Sequence, residues 1–196
     1  MKILRIAIVG ILFASIMPSA KAAPIYAFPI VGCKVTYAHV HHDYPATDIL
    51  TKAGCKFVAV TSGVVDEVRR VDQWSGKTNL PLDRGGLWVS IIGDDGVRYY
   101  GSHLKKVEVG IEPGVRVNAG DLLGLVGATG DARGTAPHVH FGISWPTAAD
   151  IWWVRRGMLY PWKYLDAWKI GKDLSPAKSL AVVHAKVGDV PPLPKK

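Results

Sequence analysis

Histidines in a strand-like pattern carry the clearest chemistry of this sequence. His138 and His140 are separated by one valine, so in a β-strand their imidazoles project from the same face. Three further histidines precede Asp48 in the chain: His39, His41 and His42. Zinc binds imidazole and carboxylate groups, and a catalytic zinc site keeps three protein ligands with a water in the fourth position. One upstream histidine, Asp48 and one member of the pair would supply these ligands.

The number of clustered histidines favours metal binding over the simpler alternative. A lone histidine pair on a strand is often only a solvated face, but six of the seven histidines here fall in three short segments, one of which contains His103. Histidines that do not bind the metal would be free to act on the water or on a substrate. The sequence contains no His-Glu-x-x-His motif, which excludes that helical metalloprotease arrangement.

Short β-branched and aromatic runs, separated by turn-forming residues, predict an antiparallel sheet. The runs are Phe57–Val60, Gly63–Val68, Leu87–Ile92 and Val97–Tyr100. The turn Gly93–Gly96 would join the last two runs as a hairpin. Helical periodicity is weak, and one short helix is predicted at Tyr164–Ile170. The predicted fold class is mainly β: a small antiparallel sheet or sandwich-like domain with a Trp-rich C-terminal extension.

A glycine-rich series between Ile111 and Gly130 is also informative. Glycines of this kind permit tight turns between closely packed strands. Lipoyl- and biotinyl-carrier domains share the pattern, but they present a modified lysine at a hairpin tip. The corresponding turn here, Asn118–Asp121, contains no lysine. A purely structural module of the carrier type is therefore disfavoured.

Four motifs occur in an order that resembles the lysostaphin-type, or LytM-like, zinc metallopeptidases. They are a histidine before Asp48-Ile49, Gly63-Val64-Val65, Tyr100-Gly101-Ser102-His103-Leu104 and His138-Val139-His140-Phe141. The resemblance covers roughly residues 35 to 144. It implies a small antiparallel β protein that hydrolyses the cross-bridges or stems of peptidoglycan with one zinc ion per chain. It also implies that Asp48 and His140 are metal ligands, and that His103 and His138 orient the attacking water and stabilise the developing oxyanion.

The spacing of the first ligand departs from this family. Three residues usually separate the first histidine from the aspartate, and that spacing leads from Asp48 to Tyr44, which is not a plausible replacement. His42 leaves five residues before Asp48, and His41 leaves six. Adjacent strand residues face opposite sides, so only one of the two is expected to reach the metal. His41 is slightly favoured, and both remain candidate metal ligands.

The first 22 residues predict export. A basic start, an apolar stretch from Ile6 to Met17 and an Ala-x-Ala site ending at Ala22 are typical of a cleavable signal peptide. The stretch is shorter than the ~20 residues of a membrane span. In an oxidising compartment Cys33 and Cys55 are expected to form a disulfide, with zinc ligation by both as the less favoured alternative. The predicted location is secreted or in the cell envelope.

The chain then divides into a peptidase domain at 23–145, a Trp-rich extension at 146–186 and a disordered tail at 187–196. The aromatic residues of the extension are expected to pack on the sheet rather than stack on a ligand. The net charge of +8 indicates an anionic partner. The basic residues are scattered and accompany no nucleic-acid motif, so the expected partner is an anionic cell envelope rather than nucleic acid.

These observations predict a monomeric zinc endopeptidase that acts on peptidoglycan peptides, with no stable membrane span after signal cleavage. The alternative is a non-catalytic relative that binds cell wall or activates another hydrolase. Such relatives typically lack ligands, whereas here only the spacing before Asp48 is unusual.

Overall fold

The structure is a computed structural model and describes residues 26–193 of the 196-residue chain. Its nine strands form one antiparallel sheet, which confirms the predicted mainly β fold class. The strands are β1 (Ile30–Val31), β2 (Thr47–Leu50), β3 (Lys56–Val58), β4 (Gly63–Arg69), β5 (Leu87–Gly93), β6 (Arg98–Val107), β7 (Arg116–Val117), β8 (Leu122–Val126) and β9 (His138–Ser144). The helices are α1 (Trp152–Arg155), α2 (Trp162–Lys169) and α3 (Ala177–Val187). The predicted signal peptide lies outside the described residues.

Most strands follow the order β1-β3-β8-β6-β5-β4-β7, and β9 pairs with both β2 and β6. The predicted hairpin joins β5 to β6, where the backbone nitrogen of Gly93 donates to the carbonyl of Val97. Gly96 has a φ of +77° in this turn, a conformation that favours glycine. Alternate residues of the central strands pack into one core, which includes Val89, Ile91 and Phe141.

The register between β2 and β9 sets the positions of several functional side chains. Asp48 lies directly opposite His140, and Leu50 lies opposite His138. Residues that face each other across an antiparallel pair project from the same side of the sheet. The intervening residues Ile49 and Val139 are fully buried on the other face. Two short strands therefore bring an aspartate and two histidines together on one surface.

The C-terminal extension contains more helix than the single one predicted at Tyr164–Ile170. That prediction corresponds to α2, and α1 and α3 are additional. The aromatic residues explain much of the packing, since Trp168 is buried, stacks on Tyr26 and contacts Phe141 edge-on. The four residues of α1 and the weakly amphipathic sequence of α3 gave too little periodicity for prediction. The extension shares one hydrophobic core with the sheet.

Two backbone carbonyls of the segment that follows α3 accept hydrogen bonds from tryptophan side chains. Within its described part, the carbonyl of Asp189 accepts a hydrogen bond of 2.9 Å from the indole of Trp145. The carbonyl of Pro191 accepts one of 2.9 Å from the indole of Trp153. Partly buried indole N–H groups need an acceptor, and these carbonyls provide it. Proline content alone did not reveal these contacts.

Cys33 and Cys55 form a disulfide with their Cα atoms 6.0 Å apart, in agreement with the predicted bridge. The bond links the loop after β1 to the residue that precedes β3. It closes a 22-residue separation that contains β2 and the histidine-rich loop before it. On the chain-entropy model such a closure stabilises the fold by roughly 3 kcal/mol.

Among residues 26–193, every helix is too short to cross a membrane.

Candidate active site

Three side chains that could bind a metal converge at the β2–β9 pair. Nδ1 of His140 lies 2.9 Å from Oδ1 of Asp48, and Nε2 of His41 lies 3.8 Å from the same oxygen. One candidate ligand atom from each residue lies within 4.8 Å of the other two. Two nitrogens and one carboxylate oxygen are the donor set of a catalytic zinc site with one position left for water. The residues present therefore fit a zinc ion.

The loop before β2 brings His41, rather than His42, to this site. The side chain of His41 is 4% exposed, and its Nδ1 lies 3.0 Å from the carbonyl of Tyr44, which turns Nε2 towards Asp48. The side chain of His42 is 74% exposed and lies 3.2 Å from Asp43. The two residues are adjacent, and the chain direction lets only one of them face inward. His39 lies outside the site, stacked on Trp162 and paired with Asp166.

Backbone carbonyls fix the orientation of all four site histidines. Three of them approach a carbonyl through Nδ1: His41 that of Tyr44 at 3.0 Å, His103 that of Thr129 at 2.8 Å, and His138 that of Ala136 at 2.8 Å. His140 approaches the carbonyl of Arg156 through Nε2, at 3.2 Å. A carbonyl only accepts hydrogen bonds, so Nδ1 of His41, His103 and His138 is assigned as an N–H, and Nε2 of these three rings keeps its lone pair for metal ligation or proton acceptance. In His140 both ring nitrogens face acceptors, because Nδ1 lies 2.9 Å from Oδ1 of Asp48. Ligation of a metal through Nδ1 would place the proton of His140 on Nε2, facing the Arg156 carbonyl.

His103 reaches the site through an irregularity in β6. In a regular strand it would face away from its neighbour Ser102, which lies opposite His140. The register with β5 shifts here, and His103 has a φ of +63°, which is uncommon for a residue other than glycine. Its backbone nitrogen donates to the carbonyl of Gly85. The strained bulge directs a second consecutive side chain into the site, as often occurs at functional positions.

His103 and His138 form a second pair beside the possible metal ligands. Their ring centroids lie 4.8 Å apart, and the His103 ring lies 6.2 Å from that of His140. His103 is buried, whereas His138 is half-buried at the cavity wall. With their Nδ1 atoms fixed by carbonyls, both rings have Nε2 available. The pair can therefore hold and transfer a proton next to the three clustered groups.

The electrostatics of the site keep His41 and His103 neutral and Asp48 charged. Burial, together with His140 and His138, lowers the pKa of His103 to about 3. Burial, with a contribution from His140, lowers the pKa of His41 to about 4. Burial alone would raise the pKa of Asp48, but the hydrogen bond from His140 and the nearby imidazoles hold it well below its ordinary value. These are the protonation states that bind a cation.

A cavity of about 520 Å³ surrounds these groups. It is large enough for a short peptide, within the usual range for ligand sites. Several lining residues were not singled out in the sequence as site residues: Tyr44, Arg84, Asp131, Trp152 and Arg156. Tyr44, which the sequence excluded as a metal ligand, lies with its hydroxyl 3.4 Å from Nε2 of His140. No local motif marks these residues, because loops and the C-terminal extension bring them to the cavity.

Comparisons with known proteins agree with this architecture. The catalytic domain of lysostaphin, an antimicrobial peptidase from Staphylococcus simulans, is similar at 24% identity and a TM-score of 0.50, with 67% of this chain and 92% of that chain covered. A lytM protein from Ruminococcus gnavus is similar at 23% identity and a TM-score of 0.57, with coverage of 76% and 62%. Intact lysostaphin from Staphylococcus simulans is similar at 23% identity and a TM-score of 0.53, with 78% of this chain and 58% of that chain covered.

These structural similarities establish the fold alone at this level of identity. The chain spans about three fifths of the length of the lytM protein and of intact lysostaphin. No curated protein sequence matches the chain. The model of Peptidase family M23 matches residues 42–150, more than half of the chain. The match begins at His42, so the choice of His41 rests on the geometry. With this match and this fold, the chain belongs to Peptidase family M23.

Proposed function

We propose that this chain is a zinc-dependent endopeptidase that hydrolyses peptide bonds in the stems or cross-bridges of peptidoglycan. The observation that carries the proposal is the convergence of His41, Asp48 and His140 beside His103 and His138 in one cavity. Membership of Peptidase family M23 and the likeness to lysostaphin, an antimicrobial peptidase, support a peptidase of this type.

His41, Asp48 and His140 would hold one zinc ion through Nε2, Oδ1 and Nδ1 respectively. When bound, zinc supplies a water of pKa near 7 and polarises the scissile carbonyl. Asp48 contributes the negative charge of the ligand set, and its low pKa keeps it ionised throughout the physiological range. The carbonyls of Tyr44 and Arg156 hold the two imidazoles in their ligating orientation.

His138 is the better placed residue for proton transfer. Its Nε2 has a free lone pair and lies at the cavity wall, where a half-buried ring can be hydrated when it becomes charged. It would accept a proton from the attacking water and return it to the nitrogen of the leaving amine. His103 is buried, which disfavours its charged form, so its Nε2 would orient the water by accepting a hydrogen bond.

The proposal places the enzyme outside the cytoplasm as a monomer. The apolar N-terminal stretch with its Ala-x-Ala site supports export through a cleavable signal peptide. Lys2, Arg5 and Lys21 lie in the predicted signal peptide, so its cleavage would reduce the net charge from +8 to +5. This positive charge would hold the protein near anionic cell-envelope polymers, and the scattered basic residues offer no nucleic-acid motif. The Cys33–Cys55 disulfide is compatible with an oxidising compartment.

Digestion of purified peptidoglycan tests the proposal. The protein without its first 22 residues, loaded with zinc, is incubated with cell walls, and the soluble fragments are analysed by mass spectrometry. We expect fragments with new peptide amino groups from the wild-type protein, and none after treatment with a chelator. The variant His138→Ala should retain zinc and lose at least about 100-fold in rate. The variant His39→Ala, altered outside the cavity, should cleave like the wild type.

Two outcomes would contradict the proposal. Cleavage that continues without zinc would exclude the proposed role of His41, Asp48 and His140. Stoichiometric zinc binding without fragments from any wall preparation would instead favour a wall-binding module or an activator of another hydrolase.

A further inference from the structure

Arg156 places a positive charge in the wall of the cavity. The residue follows α1, is 8% exposed and lines the cavity together with Trp152. Its position is fixed by its own backbone, because the Arg156 carbonyl lies 3.2 Å from Nε2 of His140. Gly142 in β9 permits this approach, since a Cβ atom there would collide with that carbonyl oxygen. Arg156 is therefore tied to the candidate metal site through the backbone.

Arg156, unlike its neighbour Arg155, has no carboxylate partner to neutralise its charge among the described residues. Arg155 is equally buried, and its guanidinium lies 2.9 Å from Asp66 and 2.7 Å from Glu67. Arg156 forms no ion pair with any residue of the described range 26–193, and its guanidinium instead donates to the carbonyl of Pro81 and lies over the ring of Trp152 at 5.1 Å. Buried charges in proteins are normally paired. An unpaired guanidinium that lines a cavity is suited to an anionic ligand.

The other charges of the cavity do not supply the missing partner. Asp131 lies on the wall and feels the charges of Arg156 and Arg84, but neither pair lies within 4.0 Å among the described residues. Burial raises the pKa of Asp131 in spite of both arginines. Arg84 donates to the side chain of Asn79 at 3.1 Å. Asp48 faces His41 and His140, so its charge is directed to the candidate metal site.

The guanidinium is close enough to the candidate metal site to contact the same substrate. Arg156 and Tyr44 line the same cavity as His140, and the Tyr44 hydroxyl lies 3.4 Å from Nε2 of His140. A peptide bound in this cavity can therefore contact the guanidinium and the candidate metal site together.

We propose that Arg156 is a specificity-determining residue that binds a free carboxylate of the substrate peptide next to the scissile bond. The substrate class would then be stem peptides with free carboxyl groups, in preference to uncharged glycine bridges. A carboxylate and a guanidinium form two parallel, charge-assisted hydrogen bonds, which fix the orientation of the peptide as well as adding affinity. This inference rests on the proposed peptidase function.

Cross-linked muropeptide dimers with free carboxyl groups test the inference, compared with the same dimers after amidation of those groups. We expect wild-type kcat/KM to be at least 10-fold higher for the free acid. Arg156→Gln should lower kcat/KM for the free acid about 10- to 100-fold more than kcat/KM for the amidated dimer. Arg156→Lys should retain part of the preference. Arg116→Gln, at an exposed arginine outside the cavity, is the matched control and should behave as the wild type.

Comparing the losses of kcat/KM for the two dimers distinguishes carboxylate recognition by Arg156 from a purely structural role. Equal losses for both dimers in Arg156→Gln, or an unchanged preference, would overturn the inference. If Arg156→Gln fails to fold, Arg156→Lys decides through the same ratio, which a merely structural role would leave at the wild-type value. If the wild type cleaves neither dimer, the proposed function fails, and calorimetric binding of the two dimers to zinc-loaded protein decides the inference. Equal affinity for both dimers would then exclude it.

Discussion

The adjacent histidines His41 and His42 provide a matched test of the candidate metal site. Both are imidazoles in the same loop, but only Nε2 of His41 approaches Asp48, at 3.8 Å. His42 is 74% exposed and lies beside Asp43. We expect His41→Ala to lose zinc affinity and His42→Ala to retain it. The comparison isolates ligand geometry from any general effect of removing a histidine from this loop.

The expected loss of zinc affinity in His41→Ala follows from the number of metal ligands. Structural zinc sites with four ligands have apparent binding free energies of about 10 to 16 kcal/mol, or about 2.5 to 4 kcal/mol for each ligand. Loss of one ligand should therefore weaken zinc binding by about 100- to 1,000-fold, since each 1.4 kcal/mol corresponds to a factor of ten. His41→Ala also removes the hydrogen bond to the Tyr44 carbonyl, which acts in the same direction.

Competition with a chromophoric chelator measures both affinities at neutral pH. Urea unfolding of the zinc-free variants provides the control, because His41→Ala must still fold cooperatively for its zinc affinity to be informative. A larger loss of affinity in His42→Ala than in His41→Ala would refute the reasoning. It would show that the loop presents the other histidine to the metal.

Three further predictions concern stability and the local geometry. Cys33→Ser should lower the free energy of unfolding by about 2 to 4 kcal/mol under oxidising conditions and have no such effect under reducing conditions, as urea titrations would show. The zinc-free protein should lose stability as the pH falls from about 6.5 to about 4, because His41 and His103 bind protons in the unfolded chain but stay neutral when buried in the folded one. The free energy of unfolding should fall by about 1.4 kcal/mol per pH unit for each histidine. Urea unfolding at a series of pH values measures this, and no decline over this range would contradict the prediction. Gly142→Ala should displace the carbonyl of Arg156 from His140 and weaken zinc binding by about 10- to 100-fold, measured by chelator competition, and an unchanged affinity would show that this carbonyl has no role.

Much of the sheet was predictable from local patterns. The alternation of β-branched residues indicated β4 and β5, and the Gly93–Gly96 turn indicated the hairpin. The single-residue spacing of His138 and His140 was sufficient to place them on one face, because side chains alternate along any strand. These features depend only on neighbouring residues, so the sequence contains the whole signal.

Features that depend on long-range packing were not predictable. The positive φ of His103 follows from a register shift between β5 and β6, and no residue near it signals a bulge. The choice between His41 and His42 depends on which way the loop before β2 turns each side chain, which spacing alone left open. Arg156 lies in a helical extension whose position is set by burial of Trp168 and Val154 against the sheet. Its place beside His140 appears only in three dimensions.

Titration of the zinc-free protein with zinc during cell-wall digestion tests the central claim most directly. The rate of release of new amino groups is measured as zinc is added to the chelator-treated protein. The rate should rise from zero in proportion to zinc and reach a plateau at one ion per chain. Full activity before zinc is added, or no activity at the plateau of zinc binding, would contradict the assignment of His41, Asp48 and His140 as the metal site of a peptidase.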